Sequence, residues 1–276
     1  MEDKYEEAVL LYNKALEYME IGEYEQAINF ATQSINSYPE LPVSYKLRGD
    51  VYFLLKDYKN SIIEKTLAIE YMEKREKEIQ NSLTASDNSE NLKFLKDIKK
   101  AKAICYFNRG NAYDEIKDFE NAIIDFSEAI SLYPEFANAY HSRGCSYINN
   151  ADYINAINDF TSAINNNYDF LHFAYTNRAE ALYQSGKYNE AISDCQAAID
   201  KDPTYTRAYN NCGIIYEEMN DFDNAWLYYQ RAIAVNPAEP AFRKNLEKLG
   251  FFTTKYYHSP ATILTSPDKT IGFGEK

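Results

Sequence analysis

Small residues recur along this chain at Ala15, Gly49, Gly110, Gly144, Ala179 and Gly213, with spacings of 34, 61, 34, 35 and 34. A second series, Ala27, Ser61, Ala122, Ala156, Ala191 and Ala225, trails the first by 12 residues every time. A third, Ser34, Ala68, Ala129, Ala163, Ala198 and Ala232, trails the second by 7. A fixed period of this length commits a chain to stacked copies of one supersecondary unit, because each copy buries its apolar face only on the next. The step of 61 reads as one unit carrying an insertion of 27 residues.

Aromatic residues keep the same register. Tyr45, Tyr106, Tyr140, Tyr175 and Tyr209 stand four residues before the first small position, and Tyr18, Tyr52, Tyr113, Tyr147 and Tyr216 stand three after it. Tyr24, Tyr58, Phe119, Tyr153, Tyr188 and Phe222 open the second half of each unit. Apolar and small residues recur at three and four within each half, which is the helical period. Each unit is therefore predicted to be two antiparallel helices, close-packed at the small residues with a ring filling the gap. Short turns fall at Gly22-Glu23, Lys117-Asp118, Gly186-Lys187 and Asn220-Asp221, and Pro39, Pro134, Pro203 and Pro237 close four of the units.

On these residues the chain resembles the tetratricopeptide repeat family. The resemblance covers six units at about 8–41, 42–75, 103–136, 137–171, 172–205 and 206–239. It implies an all-α fold, a right-handed superhelical solenoid of six helix pairs. Residues 239–249, ending at Gly250, fit a charged thirteenth helix that caps the stack. The resemblance also implies that the first helix of each unit lines a concave, peptide-binding groove. The residues it places there include Tyr12, Leu16, Lys46, Leu47, Asp50, Phe53, Phe107, Asn108 and Asn111, then His141, Asn177, Glu180, Arg207 and Asn211. Some relatives grip the terminal carboxylates of heat-shock chaperones with Lys, Asn and Arg. In units four to six Asn177 matches that set and Arg207 approaches it, while two basic positions are unmatched.

One pattern goes beyond the family's small residues and rings. Arg48, Arg109, Arg143 and Arg178 directly precede the first small residue of units two to five, and Glu64, Asp125, Asp159 and Asp194 stand sixteen residues later. Units one and six lack both partners, with Lys14 against Phe30 and Cys212 against Tyr228. An acid that appears only where the arginine does predicts an ion pair between the two helices of one unit.

The insertion, 76–102, is predicted to lengthen two helices into an arm, with Met72–Gln80 continuing one helix, a loop at 81–89, and Glu90–Lys117 forming the next. Residues 74–102 carry eight basic and five acidic groups, a local +3 in a chain of −13. Ser89 or Asn88 is placed to cap the second of these helices. The tail, 250–276, is rich in aromatic residues and contains Ser259 and Ser266, each before a proline; it is expected either to pack on the last repeat or to occupy a groove.

Twenty-nine Lys and Arg against 42 Asp and Glu argue against nucleic-acid or anionic-membrane partners, since either requires a basic face. No apolar run approaches a membrane span, and the acidic start does not resemble a signal peptide. Four scattered cysteines fit a reducing, cytoplasmic setting. Phosphate loops, nucleophile elbows and paired metal-ligand motifs are absent, and His141 with Cys145 at i, i+4 lacks further ligands in the pattern. The expectation is a non-catalytic adaptor or scaffold without cofactor or metal. It binds a neutral to basic protein segment with apolar anchors; the alternatives are a chaperone cofactor or an enzyme's regulatory subunit.

Overall fold

The structure, a computed structural model, describes residues 2–82 and 89–256. Those residues form thirteen helices and no strand: α1 Glu2–Glu20, α2 Tyr24–Ser37, α3 Pro42–Leu54, α4 Tyr58–Ser82, α5 Ser89–Glu115, α6 Phe119–Leu132, α7 Ala137–Asn149, α8 Tyr153–Asn165, α9 Leu171–Gln184, α10 Tyr188–Lys201, α11 Thr206–Glu218, α12 Phe222–Val235 and α13 Pro240–Tyr256. Successive helices pair as the period demands, α1 with α2 through α11 with α12. The chain divides into two compact units, residues 1–170 with four pairs and 171–276 with two pairs and α13.

Each turn inside a pair uses one residue in the left-handed region. Glycine fills it at Gly22 and Gly186, whereas Lys56, Lys117, Ala151 and Asn220 accept it at φ between 55° and 62°. In four pairs the following aspartate then caps the second helix. Asp57, Asp118, Asp152 and Asp221 accept the backbone N–H of Asn60, Asn121, Asn155 and Asn224, whose side-chain amides return a bond to the same carboxylate at 2.7–2.8 Å. A cap of this kind contributes about 1 kcal/mol.

The small residues sit where two helices of a pair cross. A methyl group on Gly110 would lie 2.7 Å from the Phe126 ring, one on Gly144 2.8 Å from Phe160, and one on Gly213 2.4 Å from Tyr229. Phe126, Phe160 and Tyr229 are fully buried. The same register holds Ala31 opposite Ala15 and Cys195 opposite Ala179, so a small partner accompanies alanine and a ring accompanies glycine. The second pair breaks this rule: Gly49 faces Lys65, which is completely buried.

The four expected ion pairs form. Arg109, Arg143 and Arg178 each hold their aspartate by two bonds of 2.6–2.7 Å, through Nε and Nη2. Arg48 reaches Glu64 by one bond only, 2.7 Å from Nη2, leaving Arg48 Nε and Glu64 Oε2 buried without a partner. A further bond escaped the sequence reading. Nη1 of Arg48, Arg109 and Arg143 donates to Thr32, Thr66 and Ser127 on the second helix of the preceding pair, at 2.8–2.9 Å. Each of these arginines thus ties its own pair together and fastens it to the one before. Burial pushes the Asp125 and Asp159 carboxyls above the ordinary range, and the guanidinium opposing it does not prevail. On the guanidinium side the aspartate prevails over burial and holds Arg109 and Arg143 above their ordinary range, so each pair sets the burial of two charges against their mutual attraction.

The insertion lengthens α4 and α5, which pack on each other through Met72, Ile79, Leu95 and Ile98. Lys102 crosses between them to Glu76 at 2.9 Å. Residues 83–88, and with them Asn88, lie outside the described residues, as do 257–276 of the tail with Ser259 and Ser266. Helix α5 stops at Glu115 rather than Lys117, because Lys117 adopts the left-handed turn conformation.

The capping helix corrects an expectation. It does not end at Gly250 but runs on to Tyr256, since Gly250 is not in the left-handed conformation that terminates a helix. Leu249 and Phe242 are buried, and Lys248 and Asn245 bond Glu217 and Asn210 of α11 at 2.8 and 3.0 Å.

Candidate functional site

The first helices α1, α3, α5 and α7 of one unit, and α9 and α11 of the other, carry the residues that the register assigns to a binding surface. In the first unit Asp50, Phe53, Asn108 and Asn111 come together. With Met19, Leu54 and Lys65 they line a depression of about 220 Å³. Tyr12, Leu16 and Met19 are half-buried beside the first pair's core. Leu47 does not belong to this surface. It is 3% exposed and packs among Ala15, Ala27 and Ala31, where the small Ala31 leaves room that a ring fills in other pairs. Phe107 is half-buried, its ring 5.8 Å from Phe126 and 4.9 Å from Phe136.

Polar contacts in this depression converge on Asp50. Its carboxylate accepts from Lys46 Nζ at 2.8 Å, from Lys65 Nζ, and from Asn108 Nδ2 at 3.2 Å. Burial pushes Asp50 up, but the ammonium groups of Lys65 and Lys46 outweigh it and hold the carboxyl below the ordinary range. Burial likewise pulls Lys46 down, and Asp50 more than restores it. The Cys105 thiol, buried nearby, is pushed up to about 11 by burial. It is not a nucleophile at neutral pH. Lys65 was missed by the register, which assigns no binding role to second helices. The available signal was a lysine standing where other units place a ring.

His141 stacks on Tyr168 at 4.4 Å with its ring near Phe160, and burial lowers it to about 4, so it is neutral at physiological pH. Asp114 accepts from Ser146 at 2.7 Å.

In the second unit Glu180, Arg207 and Asn211 come together around a depression of about 230 Å³. Ala179, Tyr183, Gln184, Ile214 and Ile215 complete its lining. Arg207 Nη2 donates to Glu180 at 2.7 Å. Glu217 accepts from Tyr229 at 2.9 Å and from Lys248 at 2.8 Å. Asn177 lies one turn before Glu180 on the same helix, half-buried. The acids on these faces are thus engaged by neighbours, and apolar walls with the amides of Asn111 and Asn211 line the two depressions beside them. Apolar walls flanked by side-chain amides are the elements from which a peptide-binding surface can be built.

Helix pairs of this period, stacked in series, define a helical repeat scaffold. Tetratricopeptide repeat models match residues 4–41, 103–136, 137–170 and 206–239, and a TPR repeat model matches 179–220, together more than half of the chain. The chain belongs to the tetratricopeptide repeat family. Among curated proteins it is similar to Hsp70-Hsp90 organizing protein 3 of Arabidopsis thaliana, 24% identical over 250 residues that cover 86% of this chain and 38% of that protein. It is also similar to a DnaJ homolog subfamily C member 7 homolog of Dictyostelium discoideum, 26% identical over 85% of this chain and 35% of that one. The chain thus spans less than two fifths of these relatives. Among solved structures, Pseudomonas aeruginosa pilF superposes with a TM-score of 0.64 at 17% identity, over 89% of this chain and 99% of that one. YrrB, a TPR protein described as having an unusual peptide-binding site, gives 0.59 at 17%, over 82% and 97%. These two likenesses show the shared fold. No helix among the described residues is long and apolar enough to cross a membrane.

Proposed function

We propose that the chain is a non-catalytic adaptor whose first-helix faces bind an extended segment of a partner protein, neutral to basic in charge and carrying apolar anchors. One observation carries this reading: side-chain amides, Asn111 in one unit and Asn211 in the other, sit beside apolar walls whose acids are already engaged. Amides hydrogen-bond a peptide main chain without reading its sequence, and the apolar walls select an anchor. Asn177 extends the amide row along α9. The anchors seat on Met19, Phe53 and Leu54 in the first unit, and on Tyr183 and Ile214 in the second. The setting is cytoplasmic, in keeping with four free cysteines. Selection of displayed random peptides on the intact chain tests the proposal. Recovery of peptides with one large apolar residue and few acids, weakened about tenfold by Asn177→Ala with Asn211→Ala or by Asn108→Ala, supports it. Strong enrichment of acidic peptides, or indifference to these substitutions, overturns it.

A second reading, cofactor of a molecular chaperone, is favoured by the Hsp70-Hsp90 organizing and DnaJ relatives, whose similarity spans most of this chain. Capture of a full-length chaperone by the intact chain supports it, and failure to capture Hsp70 or Hsp90 removes it.

A further inference from the structure

Lys65 is the anomaly of the first unit. At its register other pairs bury Phe126, Phe160 or Tyr229, yet here a lysine is buried with 1% of its side chain exposed. A lysine in a core position is costly unless its charge is paired, so its partner is the first thing to find. Its ammonium emerges at the floor of the depression on the first-helix side and meets Asp50. Lys46 and Asn108 approach the same carboxylate from α3 and α5. Two ammonium groups and an amide N–H pointing at one spot, against an apolar wall of Met19, Phe53 and Leu54, form an anion site. The anion in it is the protein's own.

We propose that Asp50 is a resident carboxylate that occupies this anion site and excludes acidic segments from the first unit's binding face. With Asp50 in place the three charged groups sum to +1 and the convergent donors are engaged. Without it the sum is +2 and two ammonium groups face an open depression. An incoming carboxylate must displace Asp50 and leave it unpaired beside the ligand, a like-charge encounter that specificity commonly exploits. A neutral anchor meets no such barrier. The inference rests on the reading of this face as a peptide-binding surface, and it names the residue that sets the ligand's charge.

The experiment compares the native chain with Asp50→Asn, which keeps the size, and Asp50→Ala, which opens the space. The probes are two fluorescein-labelled octapeptides, identical except that one carries Glu-Leu-Glu and the other Gln-Leu-Gln. The native chain is expected to show no preference for the acidic peptide. Both variants should gain at least about tenfold for it, a gain that shrinks as salt rises and vanishes in Asp50→Asn with Lys65→Met. If Asp50→Ala is too unstable to assay, its melting in acetate against chloride at equal ionic strength gives a second readout. Acetate filling the vacated site should raise the Tm of the variant and leave the native chain unchanged. Native binding of the acidic peptide as tight as that of Asp50→Asn overturns the inference. So does an absence of gain in the variants together with an absence of acetate rescue. If the native chain selects no peptide of any kind, the adaptor reading fails while the variants' gain still decides the role of Asp50.

Discussion

Gly110 and Phe126 meet at the crossing of α5 and α6 so closely that a single added methyl would stand 2.7 Å from the ring edge. Replacing Gly110 by alanine gains up to about 1 kcal/mol of helix propensity but forces a fully buried ring aside, at about 1–3 kcal/mol. A net loss of up to about 2 kcal/mol is expected in urea denaturation. Gly213→Ala against Tyr229 should behave alike, and a stabilised Gly110→Ala would show that the pair has slack.

The paired aspartates lead to a different expectation. Asp125→Ala leaves Arg109 charged and mostly buried, at a cost of about 3–5 kcal/mol. Arg109→Met combined with Asp125→Leu removes both charges and should lose far less than the sum of the single variants. A loss in the double variant equal to the sum of the single losses would mean that the two side chains act independently and that no buried charge is left unsatisfied in the single variants.

The second pair offers a repair. Glu64 is one methylene longer than the aspartates at its register, and its single bond leaves two buried polar atoms without partners. Glu64→Asp is expected to restore the two-point contact and stabilise the protein by about 1 kcal/mol. A lower Tm than that of the native chain would refute this.

Acid sensitivity follows from His141, which stays neutral down to about pH 4 in the folded chain. Unfolded, it takes up a proton near pH 6.5, so its contribution is complete above that value and is lost as pH falls toward 4, on the order of 2 kcal/mol. Asp50, held below its ordinary range, adds a loss only at still lower pH, as its folded carboxyl protonates. Denaturation from pH 7 to 4 should show the first slope, and His141→Gln should flatten it; an unchanged slope would assign it to other groups.

The pairing of helices was legible because closest approach tolerates only small residues, and the sequence must repeat them wherever two helices cross. The Arg–acid pairs were legible for a related reason, since both partners lie within one unit at a constant separation of sixteen. Thr32, Thr66 and Ser127 were harder to see, because each serves the arginine of the following unit and the insertion breaks their spacing at Thr66. The signal was nevertheless present: Gln196 takes the hydroxyl's register just before the unit whose arginine is replaced by Cys212. Within the candidate site, Asp50, Asn108 and Asn111, which the family resemblance placed on first helices, line one depression. The resemblance misplaced Leu47 because it cannot register that Ala31 leaves a space needing a side chain from the next pair. Lys65 stood out as a lysine at a ring's register, but that its ammonium meets Asp50 on the neighbouring helix depends on the packing of the pair.

The arginine-to-hydroxyl bonds couple neighbours in series, so a row of repeats behaves like a line of linked switches whose links differ in strength. In the first unit every junction between pairs carries such a charge-assisted link. At the junction between the last two pairs the corresponding contact is neutral, Gln196 to Tyr228 at 3.1 Å. Opening should therefore propagate through the first unit as one block. The final pair, with its capping helix, can let go alone, and amide exchange should begin there.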